Sequence, residues 1–323
     1  MEAKDRMLKS VVKERLKNEL EHNIWLSHEL SGCKFKDEHL GKRFRTLIEQ
    51  LWNGVGESIP FACQDWASTK VAYRFFSNDR VNEKEILSGH FQSTREKFSK
   101  TSDTVLVLQD TTEFSYEQDQ PEIIGATRII PNGKDTYGKL KRHTKCGILM
   151  HSSLAVISDG LPLGLAAIKF WTRKQFKGTN TLKKHINPTQ VSIKEKESYR
   201  WLESLKHSTR LLKDPDRCVH IGDRESDIYK LFCTAQKVKT HFLVRTCVDR
   251  LAGDGNHTIS DEMDEVKVKG LHRIEVRDDK GNVSEAALEI KYRRLRMLPP
   301  IGKQKEYPEL VLTVIHTEGS GAH

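Results

Sequence analysis

The spacing of apolar residues changes near residue 100, and this change restricts the folds that the chain can adopt. Before residue 100, apolar residues recur three and four positions apart, as in the stripe from Leu40 to Leu51, and this period is typical of amphipathic helices. After it, short runs of β-branched residues and leucine, beginning with Thr104–Leu108, are typical of buried strands. The sequence therefore predicts an α/β protein in which a small helical N-terminal domain precedes a mixed sheet.

Apolar periodicity and turn signals place the individual elements along the chain. Helices are predicted over residues 8–24, 40–51, 65–76, 81–98, 192–212 and 227–235. Buried strands are predicted over residues 104–108, 146–157, 161–171, 218–221 and 241–245. The turn sequence Ser158-Asp159-Gly160 joins the second and third of these strands and favours an antiparallel hairpin. Alternation over residues 271–276, 285–292 and 310–316 predicts exposed strands after Arg245.

Several classes of protein are excluded by the apolar stretches and the cysteines. The most apolar stretch, Cys146–Ile157, is shorter than the ~20 residues that a membrane-spanning helix needs. The first residues include acids and no apolar run, so no signal peptide is predicted. The 6 cysteines are scattered without a C-x-x-C pair, which argues against a zinc ribbon or a disulfide scaffold. We therefore expect a cytoplasmic protein with no membrane partner.

The positive charge of the chain is concentrated in segments. The chain has 54 Lys and Arg residues and 45 Asp and Glu residues, which gives a net charge of +9. The basic residues cluster in five segments, which are Lys4–Lys17, Lys42–Arg45, Lys134–Lys145, Arg173–Lys184 and Lys291–Arg296. The third and fourth of these segments are predicted loops. Any one segment is compatible with a solvated surface, but all five together favour a polyanionic partner such as nucleic acid.

Two aspartates directly follow predicted buried strands. Asp110 comes after Val105–Gln109, and Asp223 comes after Val219–Gly222. Because α/β sheets bind ligands at the carboxyl ends of their strands, the two carboxylates would converge if these strands were neighbours. Such a pair suits Mg²⁺, and two metal ions promote phosphodiester chemistry. The alternative is that each aspartate only caps the turn or helix that follows it, and the spacing alone leaves both possibilities open.

Several motifs occur in an order that resembles one family of bacterial enzymes. Ile221–Ile228 (IGDRESDI) resembles the D-R-E-x-D-I signature of the cut-and-paste DDE transposases of the IS-four insertion-sequence family. Leu108–Thr112 (LQDTT) is similar to the first-aspartate motif of the same family. Further similar segments are Trp25, Leu40–Arg43, Ser58–Pro60, Ala72–Phe76, His151–Ala155, Gly160–Gly164 and Lys196–Trp201. Because the matches include the helical segments, an unrelated ribonuclease-H-like nuclease is disfavoured.

This resemblance implies a fold, a chemistry and a partner. It implies that Asp110 and Asp223 are two members of an Asp-Asp-Glu triad that binds two Mg²⁺ ions in a ribonuclease-H-like core. It also implies that Lys42, Arg43 and Arg74 contact double-stranded DNA at transposon ends. A bacterial, DNA-associated homodimer that cuts and transfers DNA strands is the corresponding expectation. The expected domains are residues 1–100 for DNA binding, 101–245 for the catalytic core and 246–323 for part of a β-rich insertion.

Some features of the family have no counterpart in the sequence. In the family, the third acidic residue lies on a helix within the pattern Y-x-x-R-x-x-x-E, which is absent after Arg245. The glutamates there, including Glu262, fall in predicted strands or loops, and no Trp follows Trp201. We therefore expect a fold that is incomplete at the C-terminus, without the third carboxylate or the dimerisation helices of the family. The expected function is a truncated, inactive DDE transposase, and the alternative is a transposase remnant that only binds DNA.

Two residues of the signature receive no chemical role from the resemblance. Arg224 and Glu225 lie directly after Asp223. Local pairing of Glu225 with a basic neighbour is the alternative to a role in the reaction, and the sequence leaves both open.

Overall fold

The computed structural model describes residues 24–116, 124–134, 138, 140–173, 193–279 and 281–320. The chain divides into two units, of which unit 1 comprises Met1–Lys177 and Lys206–Cys218, and unit 2 comprises Gly178–Leu205 and Val219–His323. The predicted helix over residues 8–24 lies outside the described residues except for its last position, as do the basic segment Lys4–Lys17 and nearly all of Arg173–Lys184. The predicted α/β class is confirmed, because helices come first and mixed sheets follow. The predicted domain boundaries at residues 100 and 245 stay predictions.

The described N-terminal part of unit 1 is helical, and we call residues 24–100 the helical region. Its helices are α1 (residues 24–30), α2 (Glu38–Asn53), α3 (Ile59–Cys63), α4 (Trp66–Phe76) and α5 (Glu83–Lys100). The predicted helices over residues 40–51, 65–76 and 81–98 are confirmed. The side chains of Asp37, Asp65 and Asn82 accept backbone N–H groups at the first turns of α2, α4 and α5, which explains where these helices begin.

Apolar stripes on α2 and α4 form the core of the helical region. Leu40, Phe44 and Leu47 are spaced four and three positions apart along α2, and each is 4% exposed. Phe44 stacks on Phe75 of α4 with ring centroids 5.6 Å apart, and Ala72 is buried one turn earlier. Each large apolar side chain buried in this way contributes about 1.5–3 kcal/mol. The same packing fixes the position of α4 on α2.

Unit 1 continues into antiparallel strands. These are β1 (Val105–Tyr116), β2 (Ala126–Lys134), β3 (Leu140–Ile157) and β4 (Pro162–Trp171). β3 pairs with β1 along one edge and with β2 and β4 along the other. The predicted β3–β4 hairpin is confirmed, and its turn places Gly160 at φ +89°, a conformation that glycine adopts without steric cost. Val105 and Val107 of β1 pack with Phe98 of α5 in a buried cluster.

α5 is held on two sides within unit 1. On one side, a Cβ atom at Gly89 would lie 1.9 Å from the backbone oxygen of Glu29 in α1, so the two helices cross at close range. The Glu29 carboxylate accepts hydrogen bonds from His90 Nδ1 at 2.6 Å and from Ser93 Oγ at 2.8 Å. On the other side, the backbone N–H of Leu165 in β4 donates to His90 Nε2 at 2.8 Å. α5 therefore joins α1 to the sheet.

The basic segment Lys134–Lys145 is not the loop that the sequence predicts. Lys134 ends β2 and residues 140–145 begin β3, so most of the segment belongs to a β-hairpin. The prediction was wrong because Pro131 and Gly133 interrupt the apolar alternation, and both residues are unusual within strands. Register shifts in the β2–β3 pairing accommodate this irregular stretch.

From residue 193 onward, a parallel strand pair is followed by a second sheet. The elements are α6 (Tyr199–Leu212), β5 (Cys218–Gly222), α7 (Tyr229–Val238), β6 (His241–Val244), β7 (Leu251–Ala252), β8 (His257–Thr258), α8 (Ile259–Asp264), β9 (Gly270–Arg277), β10 (Val283–Met297) and β11 (Leu310–Ser320). β5 and β6 pair in parallel. In the second sheet the order is β11, β10, β7 and β8, and β9 pairs with the first half of β10. The strands predicted after Arg245 are confirmed as β9, β10 and β11.

The core of unit 2 joins helices to the second sheet. Trp201 of α6, Phe232 of α7 and Leu295 of β10 belong to one buried cluster. One prediction is corrected here, since Glu262 lies in α8 and not in a strand or loop. A capping box formed by Thr258 with Asp261 begins this helix, in a stretch too short for helical periodicity to be visible in the sequence. None of the helices that the structure describes has the length and apolar character needed to cross a membrane.

Candidate functional site

An open groove lies between α2 and α4 of the helical region. Its volume is about 350 Å³. Its walls include Lys42, Arg43 and Gln50 of α2 and Ala67, Ser68 and Val71 of α4. Lys42 and Arg43, two of the predicted DNA contacts, are both exposed and therefore lie together at this groove.

Lys42 already has an anionic partner on its own helix. Its Nζ lies 3.0 Å from Glu38 Oε1, and the two side chains are 71% and 82% exposed. Exposed ion pairs one helical turn apart contribute only about 0.3–0.5 kcal/mol. Lys42 can therefore leave Glu38 for a phosphate at little cost.

Arg74, the third predicted DNA contact, lies on α4. Thr69, Ala72 and Phe75 are buried at three-residue spacing, so the opposite side of the helix faces solvent. Arg74 and Lys70 are exposed on that side. The 11 residues of α4 include these two cations and no acidic residue. The predicted cations thus lie on two packed helices, and their contact with DNA stays a prediction.

Two aromatic residues of α4 were not singled out from the sequence. Trp66 is 79% exposed and Tyr73 is 50% exposed. They share the solvent side with Lys70 and Arg74, and we call these four residues the outer face of α4. The four-residue spacing of Trp66, Lys70 and Arg74 places the three side chains along one line of the helix, but the spacing alone does not show which side of α4 faces solvent.

Asp110 lies in the middle of a strand, not after its end. β1 continues to Tyr116, and Asp110 pairs there with Ser152 of β3. The prediction was wrong about this position because the outer half of β1 is partly exposed and polar, so the apolar run ends before the strand does. The side chain is exposed, and its Oδ1 accepts the backbone N–H of Thr111 at 2.7 Å.

Asp223 directly follows β5, as predicted. It is the N-cap residue of the 3₁₀ helix Arg224–Ser226, and its Oδ1 accepts the Glu225 N–H at 2.9 Å. The capping role considered from the sequence is therefore observed for this aspartate. The preceding Gly222 has no room for a side chain, since a Cβ atom would lie 2.4 Å from Ser226 Oγ. Strand and turn thus hold the Asp223 carboxylate at a defined, exposed position.

Ion pairs fix the chain on both sides of this turn. Glu225 contacts Arg200 of α6, so its basic partner is a neighbour in the fold and lies 25 positions away in the sequence. Asp227 Oδ1 lies 2.6 Å from Arg250 Nη1, and both side chains are nearly completely buried. Asp227 Oδ2 also accepts the N–H groups of Cys247 and Val248, so it holds the segment after β6.

His220 is the titratable residue of β5 nearest in sequence to Asp223. It is 3% exposed, and burial lowers the pKa of its imidazole to about 4. His220 is therefore neutral near pH 7 and adds no positive charge beside the carboxylate.

The two aspartates belong to different units, Asp110 to unit 1 and Asp223 to unit 2. Their convergence on one metal site stays a prediction. Within the part of the chain that the structure describes, no group of three or more His, Cys, Asp and Glu side chains is arranged to hold a metal ion.

Comparison with known proteins bears on the N-terminal part of the chain. Curated protein sequences give no significant match. A family model described as transposase DNA-binding matches residues 22–81. This range includes α2 and α4 and therefore the groove, Lys42, Arg43 and Arg74. The helical region thus contains a transposase DNA-binding domain, which supports a transposase role for the chain.

Proposed function

We propose that this chain is a transposase-type protein whose helical region holds double-stranded DNA at transposon ends. The observation that carries the proposal is that the segment matching a transposase DNA-binding domain is the one with exposed cations on α2 and α4. Phosphate contacts supply most of the affinity of such complexes. Because the Phe44–Phe75 stack packs α4 against α2, the backbone positions of these cations are set before DNA arrives, so that mainly their side chains need ordering on binding.

Salt dependence tests this proposal. Fluorescence anisotropy of a labelled duplex gives the dissociation constant at several salt concentrations. Arg43→Ala and Arg74→Ala should each weaken binding and lower the salt slope by about 1, the change expected for one lost phosphate contact. Lys84→Ala removes an exposed cation of α5 outside the matched segment and is the control. The proposal fails if all three variants weaken binding equally, because the attraction would then reflect net charge alone.

We further propose that Asp110 and Asp223 are metal-binding carboxylates of a DDE active site in a ribonuclease-H-like core, as in the IS-four family. Their chemistry fits, since both are exposed carboxylates and Mg²⁺ prefers such oxygen ligands. Each carboxylate accepts an adjacent backbone N–H, which restricts its orientation. When bound, Mg²⁺ would activate water and stabilise negative charge at the scissile phosphate. The contribution of the chain is to hold one carboxylate on β1 and the other at the end of β5.

Matched carboxylate variants test this second part. Nicking of supercoiled plasmid DNA in Mg²⁺ is compared between the wild-type chain, Asp110→Asn and Asp223→Asn, with Asp159→Asn in the β3–β4 turn as control. Calorimetric titration with MgCl₂ provides a readout that does not depend on activity. Because the Y-x-x-R-x-x-x-E pattern of the family is absent after Arg245, we expect the wild-type chain to bind Mg²⁺ weakly and to nick little or not at all. Both site variants should lose the Mg²⁺ binding, and Asp159→Asn should keep it.

A DNA-binding protein without catalysis is the second candidate function. It is favoured by the capping role of Asp223, which gives this carboxylate a structural task without any metal. In that case the wild-type chain binds duplex DNA but neither nicks plasmid nor binds Mg²⁺. The Asp110 and Asp223 variants then give the same results as the wild-type chain.

A further inference from the structure

The outer face of α4 combines exposed aromatic rings with positive charge. Tryptophan is on average a strongly buried residue, yet Trp66 is 79% exposed, and Tyr73 on the same face is 50% exposed. Single exposed apolar residues are ordinary, but here two rings stand beside Lys70 and Arg74 on one helix of 11 residues. This combination of rings with cations, in the absence of any acid on the helix, is complementary to a polyanion that also offers apolar and stacking surface.

The helix α4 is fixed by hydrogen bonds at its first turn and by its buried side. The Asp65 carboxylate accepts the Ser68 N–H at 2.8 Å, and the Thr69 hydroxyl donates to the Asp65 backbone oxygen at 2.7 Å. Phe75 is 1% exposed in the core. Trp66, in the first turn, therefore projects from a fixed backbone. Tryptophan and tyrosine on such a backbone supply contact area at a low cost in conformational entropy.

The dimensions of α4 suit the major groove of duplex DNA. A helix of 11 residues is about 16 Å long and about 10–12 Å across with its side chains, and the major groove is about 12 Å wide. Ala67, beside Trp66, is small enough to allow close approach. Lys42 and Arg43 stand across the groove between α2 and α4, where they can reach a phosphate backbone while α4 reaches the bases.

We propose that α4 is the recognition helix of this domain, that it enters the major groove of duplex DNA, and that Trp66 and Tyr73 contact base edges there. Lys70 and Arg74 then bind the flanking phosphates. This inference rests on the proposed DNA binding and extends it, because it assigns sequence reading to two aromatic residues and affinity to the cations. Apolar contact with the thymine methyl group is available only in the major groove.

The test separates sequence reading from general DNA binding. Duplexes that bind the full-length chain most tightly are selected from a random-sequence pool, and the best one is compared with a scrambled duplex of the same composition. Trp66→Ala and Tyr73→Ala should each weaken binding to the selected duplex on the order of tenfold, with less than a twofold change for the scrambled duplex. Phe61→Ala removes a ring of α3 that is 59% exposed and is the matched control. Circular dichroism shows whether each variant keeps its helices.

Chemical protection locates the helix on the DNA. Dimethyl sulfate methylates guanine N7 in the major groove and adenine N3 in the minor groove. The wild-type chain should protect guanine N7 within the selected site, and Trp66→Ala should lose this protection. The inference is overturned if protection is confined to adenine N3, or if Trp66→Ala and Tyr73→Ala discriminate between the duplexes as well as the wild type. If the wild-type chain binds no duplex at all, the proposed function itself fails.

Discussion

Replacement of glycine by alanine should destabilise the chain at Gly89, where α1 and α5 cross, and stabilise it at Gly41 in α2. Gly89→Ala would place a Cβ atom 1.9 Å from the Glu29 backbone oxygen, where ordinary van der Waals contact begins at 3.4 Å. α1 must therefore move away from α5. Gly41→Ala, in the interior of α2, would place its Cβ atom no closer than 3.8 Å to any neighbour, the nearest being Phe35. Both glycines lie in helices and neither has a positive φ, so the backbone preference for alanine is the same at both.

The expected magnitudes follow from three terms. Replacing glycine by alanine in a helix interior stabilises by about 0.8–1.0 kcal/mol. At Gly89 this gain is outweighed by overpacking, which costs about 1–3 kcal/mol. Moving Glu29 also weakens its hydrogen bonds from His90 and Ser93, and bonds to charged groups contribute about 1.5–3 kcal/mol each. We therefore expect Gly89→Ala to lower the free energy of unfolding by about 2–4 kcal/mol and Gly41→Ala to raise it by about 0.5–1 kcal/mol.

Urea unfolding followed by circular dichroism and tryptophan fluorescence measures both effects. With a slope of about 1–3 kcal/mol per molar urea, the midpoint of Gly89→Ala should fall by about 1 M or more, and that of Gly41→Ala should rise slightly. A midpoint for Gly89→Ala equal to or above the wild type would refute the close crossing of α1 and α5. A loss of stability in Gly41→Ala would refute the assumption that helix preference decides the effect at an uncrowded position.

Three further predictions concern buried charge and pH. Asp227→Asn leaves the buried Arg250 guanidinium without its counter-charge and should lower the free energy of unfolding by about 3–5 kcal/mol, read as the shift of the urea midpoint. The pKa of His220 is about 4 in the folded chain and 6.5 when unfolded, so the unfolded chain binds more protons between these pH values. The free energy of unfolding should therefore fall by up to about 3 kcal/mol as the pH is lowered from 6.5 to 4. His220→Gln should remove this pH dependence. Burial raises the pKa of Glu29, but hydrogen bonds from His90 and Ser93 outweigh burial and hold this pKa below its ordinary value of 4.5. The contribution of Glu29 to stability is therefore complete above pH 4.5 and is lost as the pH falls through the lowered pKa. In Glu29→Gln, the free energy of unfolding should therefore depend less on pH below pH 4.5 than in the wild type. An unchanged pH dependence there would contradict the role of the carboxylate.

Local patterns were enough to predict the helices and most of the strands. The stripes of α2, α4 and α5 persist over several turns, and the apolar runs of β3 and β4 flank a clear turn at Gly160. β2 could not be predicted because its pairing partner, not its own alternation, makes it a strand. The same reason explains Asp110, since the ladder with β3 extends β1 six residues beyond the aspartate, to Tyr116.

The candidate site was predicted in part. The basic residues of α2 and α4 could be found because charge is visible in a sequence, and the resemblance pointed to Lys42, Arg43 and Arg74. The exposure of Trp66 could not be found in this way, because a tryptophan in an amphipathic helix is usually a core residue. Only the packing of Phe75 and its neighbours shows which side of α4 is covered. The pairing of Glu225 with Arg200 likewise depends on the fold, since 25 positions separate the two residues.

The hydrogen bonds of His90 have a mechanical consequence. Because the Leu165 N–H donates to Nε2, the proton of the neutral imidazole must lie on Nδ1, from which it is donated to Glu29. One ring therefore couples α1, within the segment that matches a DNA-binding domain, to β4. β4 is laddered to β3, and β3 to β1, the strand of Asp110. A displacement of α1 is thus opposed by the hydrogen bonds of one rigid ring and by two hydrogen-bonded ladders that lead to the strand of Asp110.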